Sequence, residues 1–88
     1  MNVRGVLAER LRRLRVSQGL NQTELGELTG IPYQVISRIE HGHQSIYVER
    51  LAELATKLNV SADYLMGLAD DPTPPRKRPR GRTTTVLR

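Results

Sequence analysis

A chain of 88 residues has room for one domain with a modest core, because small chains hide a smaller share of their surface. No Cys and two His exclude a disulfide framework and a Cys-based zinc site, while no Phe, no Trp and three Tyr leave the packing to Leu, Ile, Val and Ala, which suits helices. The formal charge of +5 points to a polyanionic partner but is unevenly placed: residues 1–71 hold eight Arg or Lys and all nine acids, a net of −1, whereas residues 72–88 hold the other six bases and no acid, a net of +6.

The first stretch carries arginines and no apolar block, so it reads as neither a secretory signal nor a membrane span, and a soluble, cytoplasmic, nucleoid-associated protein is expected. Val3, Leu7, Leu11 and Leu14 step at helical spacing and predict a first helix to about Gln18, stopped by Gly19 as a left-handed cap. At least two of Arg10, Arg12 and Arg13 are expected to form a solvated face. Asn21 with Glu24 three residues on has the form of a capping box, which predicts a second helix from Gln22 to Thr29. Gly30 supplies a positive φ, and Pro32 sits at the first turn of a third helix that runs to about Glu40 and closes at Gly42.

His43-Gln44-Ser45 reads as a loop. Val48, Leu51, Leu54, Ala55 and Leu58 form the apolar stripe of a fourth helix from about Tyr47, and Ser61 caps a short fifth, Ala62 to about Gly67, with Tyr64, Leu65 and Leu68 turned inward. From Asp70 the sequence DDPTPPRKRPRGRTTTVLR combines four prolines, charge repulsion and no apolar face. The expected fold class is therefore all-α: a compact five-helix bundle over residues 1–69, then a flexible, disordered basic tail over 70–88.

The break at Thr29-Gly30-Ile31-Pro32 separates two short helices that must point in different directions, which describes a helix-turn-helix. In this reading Ile36 and Ile39 pack on the second helix. The opposite face of the third carries Tyr33, Gln34, Ser37, Arg38 and His41 on one ridge, with side chains able to donate or accept hydrogen bonds at base edges.

The chain resembles the lambda-repressor and Cro/CI-like (XRE) helix-turn-helix family over about residues 7–68. The matching pieces are Leu11 through Arg15, GLNQTEL at 19–25, Thr29-Gly30-Ile31, Ile36-Ser37-Arg38-Ile39-Glu40 with Gly42, LAELATKLNV at 51–60, and Ser61 through Leu68. The resemblance implies base contacts from Tyr33, Gln34, Ser37 and Arg38. It implies a phosphate contact from Gln22, which would also brace the first residue of the recognition helix. Asn21, Val35, His41, Ser45 and Tyr47 are further candidates for the phosphate path, and Arg15 with Glu40 resembles the family's buried ion pair. Three departures stand out: Gly26 where alanine is usual, expected to loosen the second helix by about 1 kcal/mol; Tyr33 where a short polar residue or glutamine is common; and no Lys or Arg in the loop 43–46.

In the tail, Lys77-Arg78-Pro79-Arg80-Gly81-Arg82 resembles an AT-hook. Glycine lets the backbone sit deep in the minor groove, with Arg80 and Arg82 along its floor and Arg76, Lys77 and Arg78 against phosphates. A plain electrostatic tail that binds any phosphate backbone and a solubilising tail are the alternatives, and Thr83 through Leu87 could add a strand at a dimer interface. The sequence reading is a sequence-specific transcriptional regulator, in the first instance a repressor, that binds double-stranded DNA as a homodimer. Its rival is an antitoxin-type or other protein-partner-binding module on the same fold. No cofactor, metal, membrane or small-molecule ligand is called for, and no paired-carboxylate, nucleophile-base or phosphate-loop constellation suggests an enzyme.

Overall fold

The computed structural model describes residues 2–75. The tail residues expected to meet DNA, Arg76, Lys77, Arg78, Arg80, Gly81 and Arg82, and the strand expected at 83–87 lie outside the described residues. The described chain forms five helices and no strand: α1 (Val3–Ser17), α2 (Gln22–Thr29), α3 (Tyr33–Glu40), α4 (Val48–Leu58) and α5 (Ala62–Met66). None is long and apolar enough to cross a membrane.

Local chemistry sets most boundaries. Asn2 opens α1 by accepting the Gly5 N–H on Oδ1 at 3.0 Å. The expected box closes α2 from both sides, with the Glu24 N–H on Asn21 Oδ1 at 2.7 Å and the Asn21 N–H on Glu24 Oε1 at 2.8 Å. Gly19, Gly30, Gly42 and Gly67 all take positive φ at helix ends, as does Asn59 after α4. Ser61 accepts the Tyr64 N–H at 3.3 Å to start α5. Pro32 caps α3 instead of starting it: its carbonyl receives the Val35 and Ile36 N–H groups, and the first helical residue is Tyr33.

The helix-turn-helix corner is stitched by Thr29. Its hydroxyl donates to Leu25 O at 2.8 Å and accepts the Ile31 N–H at 3.3 Å, while Ile31 itself plugs into the core at 3% exposure. The chain doubles back so tightly that a Cβ on Gly26 would lie 2.6 Å from Ile31 O. Gly26 is thus the residue over which the turn passes, and a side chain at this position would meet the Ile31 carbonyl. The expected loosening of the helix stands beside a second fact that the sequence did not show: the corner leaves no room for a side chain here.

The core is one aliphatic cluster built from every helix. Leu11, Leu25, Ile36, Ile39, Leu54 and Leu65 are fully buried, each contributing at most about 1.5–3 kcal/mol by area transfer. Three apolar residues expected to line the buried faces are instead exposed: Val3, Val48 and Leu68. Each sits at an end, where periodicity continues but the neighbouring element has stopped. Leu68 is additionally thrown outward by Gly67, whose left-handed turn lets the Leu68 N–H close on Asp63 O at 2.8 Å.

α1 packs on α3 and α5 and holds other helices by their carbonyl ends. Gln18 donates to Leu58 O at the end of α4 (3.0 Å). Arg10, the one of the three arginines that is not solvated, lies 4.2 Å over the Tyr64 ring and donates to Tyr64 O (2.7 Å) and Ala69 O (2.6 Å), with Asp70 at 3.3 Å. Arg12 and Arg13 are exposed as expected, the latter paired with Glu9. Beyond Ala69 the backbone stays on the bundle: the Ser61 N–H donates to Pro72 O (2.9 Å), and Pro74 and Pro75 border a cleft with Ala52, Ala55 and Thr56 of α4.

Gly26→Ala tests the corner. Overpacking against a backbone carbonyl costs about 1–3 kcal/mol, more than the roughly 1 kcal/mol of helix propensity gained, so Tm is expected to fall by several degrees where an open helical site would show a rise.

Candidate nucleic-acid interface

α3 has a sharp division of faces. Ile36 and Ile39 are wholly buried and Val35 packs partly against the core, while Gln34, Arg38 and His41 are exposed, Tyr33 is 51% exposed and Ser37 is half-buried. The expected ridge is therefore assembled on one side of the helix, with Arg38 its single Arg or Lys. Unlike α2, α3 has no side-chain cap: the Pro32 carbonyl takes the Val35 and Ile36 N–H groups, and no side-chain oxygen answers the positive end of its dipole.

Both ends of this short helix are held. The corner just described fixes its start. Glu40 fixes its end: only 6% exposed, it accepts Arg15 Nε on Oε2 at 2.7 Å and Arg15 Nη2 on Oε1 at 2.9 Å, a two-pronged pair between α1 and α3. Arg15 Nη1 donates to Leu20 O at 2.8 Å, and Gln22 Nε2 donates to Glu40 Oε1 at 3.1 Å. The hydrogen bonds from Arg15 to Glu40 hold its guanidinium pKa above the usual arginine range despite the opposing pull of burial, so its charge is permanent at any working pH. Among the described residues no buried side-chain polar atom lacks a partner.

The other expected site residues are dispersed around this frame. Gln22 reaches the end of α3, through Glu40, and not the first residue of α3 as the resemblance implied. A carboxylate offers only acceptors, which dictates that the amide turn its NH2 inward. Asn21 spends its carbonyl oxygen on the α2 cap. His41 caps the far end of α3 with Nδ1 2.7 Å from Ser37 O, and its ring lies 5.8 Å from that of His43. Ser45 and Tyr47 are exposed in the approach to α4, Tyr47 at 74%. No group of three or more His, Cys, Asp or Glu able to hold a metal occurs among the described residues.

Sequence reasoning missed Arg10 and Gln18 as organisers of the frame. Their partners are backbone carbonyls 54 and 40 residues away, which leave no residue-type signal to match.

Residues 11–65 match the helix-turn-helix family model HTH_3. The HTH-type transcriptional regulator YobD of Bacillus subtilis is 36% identical over 70 residues, covering 80% of this chain and 62% of that protein. The control protein C.SmaI of Serratia marcescens is 30% identical over 66 residues, covering 75% of this chain and 79% of that protein. The chain thus spans less than two thirds of the Bacillus relative. Among solved structures, the restriction-modification controller protein C.AhdI of Aeromonas hydrophila superposes with a TM-score of 0.67 at 29% identity, covering 70% of this chain and 94% of that one. The P22 c2 repressor in complex with a synthetic operator superposes with a TM-score of 0.68 at 30% identity, covering 72% of this chain and 96% of that one.

Glu40→Ala should leave the Arg15 guanidinium buried without its counter-charge and cost about 3–5 kcal/mol, read as a lower urea midpoint with unchanged slope.

Proposed function

Because the chain belongs to the HTH_3 helix-turn-helix family, we propose that it is a DNA-binding transcriptional regulator that reads the major groove with α3 and acts as a repressor by occluding a promoter. The observation that carries this reading is the polar ridge of α3, held outward by fixed contacts at both ends of the helix. The likeness to a repressor solved on its operator supports it.

In this reading Arg38 and Gln34 make the directional base contacts, since a guanidinium suits the acceptors of guanine and a carboxamide the acceptor-donor pair of adenine. Tyr33 and Ser37 border them, the phenol ring giving an apolar surface for a thymine methyl. Gln22, Asn21, His41, Ser45 and Tyr47 lie along the phosphate path, with Val35 beside it. Such contacts set register without carrying sequence information. The active species is a homodimer that places one α3 in each of two successive major grooves, so the operator is a near-palindrome with half-sites about 10 base pairs apart, or a multiple of that. The basic segment Arg76 through Arg82 adds minor-groove or phosphate contacts, supported by its charge of six bases without an acid over residues 72–88.

Replacing Gln34 and Arg38 together by Ala should abolish site-specific retardation on the promoter fragment upstream of the protein's own gene, with a loss of roughly 2–6 kcal/mol from two directional contacts. Specific retardation that survives both changes refutes the assignment of α3. Replacing Arg76, Lys77, Arg78, Arg80 and Arg82 by Gln should weaken binding and lower the slope of log affinity against log salt by up to about 0.9 for each phosphate no longer neutralised. An unchanged slope would remove the tail from the interface.

A further inference from the structure

We propose that His41 and His43 form a proton-operated phosphate grip at the C-terminal end of α3, so that DNA binding tightens as the medium becomes more acid. The proposal rests on the reading of α3 as the DNA-facing helix and adds to it a residue, His43, and a condition, pH.

These are the only two histidines in the chain, and they flank Gly42, whose φ of 74° turns the backbone at the end of α3. Both are exposed, and their rings lie 5.8 Å apart at 32°. The His43 N–H donates to Arg38 O at 2.9 Å, which holds this corner against the last turn of the helix. The loop they open, His43-Gln44-Ser45-Ile46, contains no Lys or Arg.

The chemistry of the switch follows from one contact. His41 Nδ1 lies 2.7 Å from Ser37 O, an acceptor, so Nδ1 must carry the proton. In the neutral ring the other nitrogen, Nε2, is then a bare acceptor that cannot bond a phosphate oxygen. Protonation converts Nε2 to a donor and adds a charge while leaving the Ser37 bond intact. The cation also sits at the negative end of the α3 dipole.

The surrounding charges leave room for an external anion. α3 itself carries Arg38, a like charge, and Glu40, which is occupied by Arg15 and Gln22. From α1, Arg15 is committed to Glu40 and Glu9 to Arg13; from α2, Glu24 is held in its capping box and Glu27 borders a cleft with Pro32 and Tyr33, at the other end of α3. Two imidazolium rings beside Arg38 repel one another, and no free carboxylate in this set relieves them. A DNA phosphate does. Because a nearby anion favours the protonated ring, the complex binds more protons than its free components, and by linkage affinity rises as pH falls through the histidine range.

The test measures binding of the full-length chain to a labelled duplex of mixed sequence by fluorescence anisotropy across a salt series, at pH near 5.8 and near 7.8, values that bracket the ordinary histidine range. Circular dichroism at both pH values establishes that the fold is unchanged. For the natural chain the expected result is roughly tenfold tighter binding at the lower pH and a salt slope steeper by up to about 0.9 per imidazole. In the double variant His41→Gln, His43→Gln both the pH dependence of affinity and the pH dependence of the salt slope should vanish. Equal slopes at the two pH values in the natural chain, or a pH effect that persists in the double variant, overturn the proposal. Failure of the underlying reading is separately visible: the Gln34 and Arg38 replacements would then leave operator discrimination intact, whatever the histidines do.

Discussion

The structure depends on the buried contact between Arg15 and Glu40. Its donors and acceptors are few and fixed: two guanidinium nitrogens on two carboxylate oxygens, a third on Leu20 O, and the Gln22 amide on the oxygen that remains shareable. Four pieces of chain therefore meet at one ion pair: the end of α1, the turn after it through the guanidinium, the start of α2 through the carboxylate, and the end of α3. An apolar replacement of similar volume could match its contribution to stability, since removing two charges from water offsets most of their attraction. What greasy contacts lack is direction. A helix of eight residues resting on Ile36 and Ile39 alone could roll or slide by a fraction of a turn at little cost, and the planar fork allows neither.

The same logic extends along α1. Helix C-termini leave carbonyls without intrahelical partners, and α1 answers them with side chains: Gln18 at α4 and Arg10 at α5. With Glu40 at the end of α3, three helices are held at their final turns by one helix. Their relative positions are thus set by hydrogen-bond geometry superimposed on a core whose aliphatic side chains are individually forgiving. Arg10 also binds Ala69 O beyond α5, so the path of the chain leaving the bundle is fixed by the same helix.

What was legible in the sequence was local. The capping box of α2, the left-handed Gly30, the Ser61 cap and the Leu and Ile periodicities each concern residues within a few positions of one another, and those interactions appear as read. The ion pair was accessible only through resemblance, because nothing in the spacing of Arg15 and Glu40 distinguishes them from other charges. Arg10 was invisible for a deeper reason: its partners are main-chain carbonyls, present at every position. Gly26 shows a third kind of limit. Helix propensity treats it as a weak point, whereas the cost of a side chain there is decided by the carbonyl of Ile31, five residues on and across a corner. Val48 and Leu68 continue a correct period past the edge of the elements that would have covered them.

The distribution of charge gives the proposed function a division of labour. Residues 1–71, which include the whole bundle, are nearly neutral, and the reading ridge holds one permanent cation. Such a surface gains little from counterion release, so its preference for one sequence over another is set by hydrogen-bond match, which changes little with salt. The strongly basic residues 72–88 have the opposite character: six bases without an acid would give the proposed tail contacts a strong salt dependence. Concentrating both on one surface would raise non-specific binding together with specific binding and leave their ratio unimproved. With the two apart, in the proposed function the tail would set how much of the protein is on DNA and α3 would set where, and imidazoles at the end of α3 would add charge to that surface only when protons are abundant.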